Sequence, residues 1–412
     1  VAQLQPVRGT HDLLPTEERR HRHVIDHARS TAARYGFERM ETPIFEFTEV
    51  FTRTVGETSD IVTKEMYVFK DRGDESIALR PEGTAGVARA VISNGLAQSV
   101  PIRAFYNGPM FRYERPQKGR QRQFHQIGVE LIGPASPYAD VEVIACGADI
   151  LDALGILPRV KLELNTLGDT ESRIAYRAAL VEYFSAFEAD LSDDSKLRLK
   201  KNPLRILDSK DEGDRKFVAD APRFDAYLTQ AAQDFFGGVT DGLTALGIPF
   251  TREQRLVRGL DYYTHTCFEF VTTELGAQGT VMAGGRYDGL IRDMGGPDLP
   301  GVGWAAGIER LAMMLAEDPA VARPVALVPL GEAAERAALK IAHDLRKAGV
   351  TVDLGFSGNL KKRLARANKI NATHAVILGD DELARGAAAV RMLDSGEQAD
   401  VALTDLVTRL TA

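Results

Sequence analysis

Residues 105–130 read FYNGPMFRYERPQKGRQRQFHQIGVE, and this stretch sets the architecture around it. Apolar runs flank a basic centre, which predicts two β-strands joined by a charged loop. Side chains alternate across a strand, so Met110, Arg112 and Glu114 are expected on one face. Phe124, Gln126, Gly128 and Glu130 share a face on the return strand by the same period. One small floor then carries a cation, carboxylates, an amide, an aromatic ring and a glycine gap. Such a floor can hold a phosphate, a flat base and a polar small molecule side by side. The alternative is an exposed hairpin with a solvated charged face.

Four other segments supply matching parts: LRPEGT at 79–84, VRGLDYYT at 257–264, AGGRYDGL at 283–290 and GVGWAAGIERL at 301–311. With FRYE and QFHQIGVE they resemble the histidyl-tRNA synthetase family, within the class II aminoacyl-tRNA synthetases. FRYE and its loop resemble the second class motif and GIER the third. RGLDYY and GGRYDG resemble the two histidine-specific signatures. The resemblance runs from about residue 7 to the C-terminus, and it is the ordered set that makes it specific. It implies an α+β fold: an antiparallel sheet core with flanking helices, a helical insertion and a C-terminal α/β anticodon-binding domain.

The 412 residues predict two or three domains, and 44% hydrophobic content allows a sizeable core. A net charge of −7 argues against a basic coat over the whole surface. Local basic patches remain at 110–123 and 359–369. Cys146 and Cys267 lack metal-ligand spacing and suit a reducing compartment as buried thiols. No leader peptide, long apolar run or lipidation motif is legible, so no membrane partner and a cytoplasmic location are expected.

Residues 15–36 are expected to be helical, with Pro15 near the start and Gly36 at the end. The run ERMETPIFEF at 38–47 reads as a strand interrupted by Pro43, an edge or interface element. By resemblance it is the first class motif, which builds a homodimer interface. A helix at about 139–154 leads into the strand VKLELNTLG. The core is expected over 1–169 plus 248–318. Charge-rich helical residues 170–247 form the insertion, 319–324 the linker and 325–412 the C-terminal domain. There, strands alternate with helices in a βαβαβ pattern.

No GxxxxGK[ST] occurs, so ATP must be held without a P-loop. The resemblance implies that arginines do this over the sheet: Arg112 at the α-phosphate and Arg310 at the γ-phosphate end. Arginine suits the task as a permanently charged fork of donors. Glu114 and Phe124 would hold the adenine, and Arg120 could turn to ATP. Arg258 would lower the barrier to carboxylate attack on the α-phosphorus, where negative charge accumulates. Its alternative is an ion pair with Asp261. Glu82, Gly83, Thr84 and Gln126 would hold the α-ammonium of L-histidine, and Glu130 and Tyr263 its imidazole. A neutral imidazole carries one donor and one acceptor, so a site built for both rejects side chains lacking them. Tyr262 and Tyr287 line the same cavity in this reading, with core packing as the alternative. Asp261 and Asp288 orient neighbours.

The loop 115–122 has four cations in eight residues. The resemblance places it at the acceptor end of histidine tRNA, with Arg115 and Gln117 as base-edge readers and Lys118 and Arg120 suited to phosphate. The basic run NLKKRLARANK at 359–369 is a second candidate RNA contact or a plain solvated helix. His21, His23 and His27 form a helical cluster without firm metal spacing, so no protein-held metal is expected. Mg2+ is expected only with ATP. A non-catalytic regulatory relative of the family shares this core but typically lacks RGLDYY and the C-terminal domain, both present here.

Overall fold

The computed structural model describes residues 3–55, 59, 61–207, 209, 211–254, 256, 262–276 and 279–411. The fold is α+β, in two compact units, Val1–Asp318 and Pro319–Ala412.

The first unit contains strands β1 (Glu38–Arg39), β2 (Phe45–Phe47), β3 (Val68–Lys70), β4 (Ser76–Leu79), β5 (Ile102–Phe111) and β6 (Gln123–Ile132). It continues with β7 (Lys161–Thr166), β8 (Phe250–Arg252), β9 (Thr264–Val271), β10 (Thr280–Arg286) and β11 (Gly301–Gly307). Eight of them form one sheet in the order β1-β5-β6-β11-β10-β9-β7-β8. Its interior pairs are antiparallel, and its outer pairs, β1–β5 and β7–β8, are parallel. The expected hairpin is β5–β6, with Met110 opposite Phe124 and Tyr106 opposite Gly128.

Period-two alternation separates the two faces of this sheet. Ile127, Val129 and Leu131 join a core with the helices Pro15–Arg34, Pro137–Ala153 and Ile308–Met314. Tyr106, Met110 and Ile132 point the other way, into a second cluster with Tyr262, Tyr263 and Tyr287. Arg112 and Glu114 depart from the expectation, because β5 ends at Phe111. Arg112 N–H still bonds Arg122 O at 2.9 Å, but Tyr113 N–H turns to Glu65 O at 2.6 Å and leaves the ladder.

The run 38–47 is two strands, not one. β1 joins the large sheet and β2 a separate three-stranded sheet, β2-β4-β3, with Pro43 between them. Proline cannot donate to a ladder, so the chain changes sheets there. Phe45, Phe47, Val68 and Phe69 of the small sheet are exposed.

Residues 170–247 are helical but do not pack as one body. Tyr176, Leu180, Phe184, Leu191, Leu199 and Ile206 make a small core of their own. The helix Gln230–Ala245 instead sends Phe236, Val239 and Leu243 into the main core. Gly242 allows that approach, since a Cβ there would lie 2.7 Å from Val141.

The second unit has strands β12 (Val325–Pro329), β13 (Val352–Leu354), β14 (His374–Leu378), β15 (Ala387–Met392) and β16 (Gln398–Ala402). The βαβαβ portion forms the parallel strands β13-β12-β14, and β15 and β16 extend the sheet antiparallel. Ala334, Ala338, Ala342 and Leu345 put a small-residue helix face against it. Among the described residues, no helix is long and apolar enough to cross a membrane.

Candidate active site

A cavity of about 250 Å³ opens on the face of the large sheet that carries Gln126, opposite the core formed with the helices Pro15–Arg34 and Pro137–Ala153. Its walls bring together Glu82, Thr84, Arg112, Glu114, Arg120, Phe124, Gln126, Tyr262, Tyr263, Tyr287 and Arg310. Segments far apart in sequence therefore meet at one place. Arg258 and Asp261 lie outside the described residues.

One end is acidic and phenolic. Glu130 is almost fully buried, and its carboxylate accepts from Thr84 Oγ1 and Tyr287 OH, each at 2.7 Å. Burial pushes its pKa up to about 8, although those two hydroxyls pull the other way. Glu82 accepts from Thr84 N–H at 2.7 Å and Ala85 N–H at 2.8 Å, at the start of the helix Thr84–Ser93. These are donors a helix N-terminus leaves unpaired. Burial also raises the Glu82 pKa, and these backbone donors oppose that. Gln126 Oε1 is buried and has no hydrogen-bond partner among the described residues. An unpaired buried acceptor lining a cavity is costly unless a ligand donor completes it.

The other end is basic. Arg112 Nε donates to Pro81 O at 2.9 Å, and its guanidinium lies 5.3 Å from the Phe124 ring centroid. Arg310 donates to Thr280 O at 2.6 Å and Gly119 O at 3.3 Å. Burial and the neighbouring Arg120 lower its pKa. Cations crowded against one another in this way form a site for an anion. Glu114 is ion-paired to Arg120.

Several contributors were not legible. The Tyr106 ring fills the glycine gap, since a Cβ on Gly83 or Gly128 would collide with it. Its hydroxyl lies near Thr84 and Glu130 without reaching hydrogen-bond geometry. Gly303 pairs with Glu130 across β11–β6, and a Cβ there would collide with the carboxylate. Arg286 of GGRYDG is fully buried, bonded to Asp140, to Asp288 at 3.1 Å and to Pro134 O at 3.2 Å. It holds the turn before the helix Pro137–Ala153. Asp288 in turn accepts from Gly301 N–H at 3.3 Å.

The loop residues Arg115, Gln117 and Lys118 are exposed. In the basic helix Leu360–Lys369, Lys361 and Lys362 are exposed. Arg363 is buried on Gly355 O and Gly358 O, and Arg366 pairs with Asp353 at 2.7 Å.

An antiparallel floor, arginines in place of a P-loop and a polar pocket beside them are the features of a class II aminoacyl-tRNA synthetase. The family model described as histidyl-tRNA synthetase matches residues 9–182 and 198–311, and the one described as anticodon binding domain matches 324–412. A histidine–tRNA ligase of Rhodospirillum rubrum is 64% identical over 98% of each chain. One from Gluconacetobacter diazotrophicus is 60% identical over 99% of this chain and 98% of its own. The crystal structure of apo S. aureus histidyl-tRNA synthetase superposes over 100% of both chains with a TM-score of 0.85 at 34% identity. The chain belongs to the histidyl-tRNA synthetase family.

Proposed function

We infer that this chain activates histidine with ATP and transfers it to histidine tRNA. The histidine carboxylate attacks the α-phosphorus, the bond to the bridging oxygen breaks, and pyrophosphate leaves. The 3′-terminal hydroxyl of the tRNA then attacks the adenylate carbonyl, and AMP leaves. The observation that carries this reading is one cavity with an acid–phenol pocket at one end and paired arginines at the other.

In this reading Arg112 and Arg258 act at the α-phosphate, where fixed cations meet developing charge. Arg310 holds the γ-phosphate end and Phe124 the adenine ring. Arg120 moving from Glu114 to the phosphates frees that carboxylate for the adenine amino group. Glu82 with Gly83, Thr84 and the unpaired Gln126 oxygen receive the α-ammonium. Glu130 and Tyr263 receive the imidazole, Tyr262 closes the wall, and Tyr287 orients Glu130. Mg2+ enters on the ATP phosphates. The chain's one His/carboxylate group among the described residues, His21 with His125 and Glu309, is not an all-oxygen Mg2+ site.

Arg115 and Gln117 meet the acceptor end, and residues 325–412 hold the anticodon stem. The exposed Phe45, Phe47 and Phe69, which the register puts on one face of the small sheet, fit a homodimer interface, since contiguous apolar surface marks association. Cytoplasmic residence follows from the tRNA substrate.

Pyrophosphate exchange measured with each of the twenty amino acids should respond to histidine alone. Comparable exchange with a second amino acid would overturn the pocket assignment. Cutting before Pro319 should preserve exchange, because every proposed ATP and histidine residue precedes it. The same truncation should charge tRNA poorly, because tethered contacts multiply in effect. Full charging at low tRNA concentration would give the second unit another task.

A further inference from the structure

The ladder between β6 and β11 ends at the pair Gln126–Gly307, because the helix Ile308–Met314 begins at the next residue. The next backbone donor on β6, His125 N–H, has lost its strand partner on that side. A side chain replaces it. Glu309 accepts from His125 N–H with Oε1 at 2.9 Å and Oε2 at 3.1 Å. The His125 ring closes the pair, with Nδ1 2.9 Å from Glu309 Oε1.

His21, nearly buried on the helix Pro15–Arg34, sets its ring edge-on to His125 at 5.5 Å between centroids. Its neighbour Arg20 donates to Ala312 O at 2.9 Å and pairs with Asp318, so the same helix also grips the helix Ile308–Met314. These three side chains have metal-ligand chemistry. Both Glu309 oxygens, however, already accept from His125, and a carboxylate used as a ladder rung is a fastening.

What the fastening joins is informative. His125 follows Phe124, and Glu309 precedes Arg310. Gln126 is held independently, by Gly108 on one side and Gly307 on the other. Phe124 lies beyond the last β6–β11 rung and pairs only with Met110 on β5. We propose that Glu309 is a positioning residue for the ATP half of the site, stapling the strand end that carries Phe124 to the helix that carries Arg310, with His125 as its partner. The histidine pocket, built on Glu82, Gln126 and Glu130, does not depend on this staple. The proposal rests on the assignment of Phe124 and Arg310 to ATP.

The test is a split in Michaelis constants, measured by histidine-dependent pyrophosphate exchange on the full chain. Glu309→Ala should raise the ATP constant roughly tenfold and leave the histidine constant within about twofold, since hydrogen bonds to a charged group have effects of that order. Glu309→Gln should recover most of the loss, because its amide oxygen still accepts from His125 N–H and its NH₂ can donate to the other imidazole tautomer. His125→Ala keeps the backbone bond and should raise the ATP constant by a few-fold only. Added to Glu309→Ala it should contribute less than it does alone, the non-additivity of groups in contact. If Glu309→Ala does not fold, His125→Ala and Glu309→Gln carry the same comparison. Equal changes in both constants, no change in the ATP constant, or Gln behaving as Ala would overturn the staple. Wild-type protein without histidine-dependent exchange would overturn the reaction assignment instead.

Discussion

Arg112→Ala should slow histidine-dependent pyrophosphate exchange by on the order of a hundredfold or more at saturating ATP and histidine. Removing one donor aimed at developing negative charge costs about 3 kcal/mol, and each 1.4 kcal/mol is about tenfold in rate. Arg112 is fixed for such a role: Nε is anchored on Pro81 O at 2.9 Å, and the guanidinium lies over the Phe124 ring. A side chain tethered at one nitrogen loses little entropy when its other donors engage a phosphate. Arg112→Lys should recover only part of the rate, since an ammonium keeps the charge but not the fork. Binding of histidine alone, read by equilibrium dialysis, should hold near the wild-type level in both variants. Near-normal exchange in Arg112→Ala would remove this residue from the reaction.

The hairpin, the identity of its two faces and the alternating C-terminal strands were legible because they rest on local periodicity. Ile127, Val129 and Leu131 face the helices, and Gln126, which lines the cavity, shares the opposite face with the buried Glu130, for the reason that any strand alternates. The gathering of Glu82, Tyr263 and Arg310 around that floor came from resemblance, because no local rule brings residues so distant in sequence together. What stayed hidden depended on partners across the fold. Gly128 reads as space for a ligand until the Tyr106 ring is seen to occupy it. Arg286 has no part legible in GGRYDG alone, because its partner Asp140 lies in another segment. Glu309 stands in the sequence only as part of GIER, and its bond to His125 follows from where β11 stops. The alternation at Arg112 and Glu114 fails because β5 ends at Phe111, where the carbonyl of Glu65 draws Tyr113 away.

Glu130→Gln should separate a stability effect from a binding effect. In the free protein burial raises the Glu130 pKa to about 8, against an unfolded value of about 4.3. A group whose folded pKa is raised gives stability that is complete below the unfolded value and lost as pH rises through the folded one. Wild-type stability should therefore decline between about pH 4.5 and pH 8 by on the order of 4 kcal/mol from this group. Glutamine has nearly the same shape and does not titrate. Its carbonyl can accept from Thr84 and its NH₂ can donate to the Tyr287 oxygen. The variant should thus lack this part of the decline and be the more stable protein at pH 9, while the two converge near pH 5. Denaturant unfolding at pH 5, 7 and 9 reads this directly. Histidine should suffer in the same variant. Above pH 8, where Glu130 is ionised, a neutral amide oxygen accepts an imidazole N–H less strongly than the carboxylate, a loss of about 1.5 to 3 kcal/mol. The histidine Michaelis constant should rise at least about tenfold, with the ATP constant nearly unmoved. Parallel stability curves would mean that Glu130 does not titrate in this range, and an unchanged histidine constant would mean that it does not touch the amino acid.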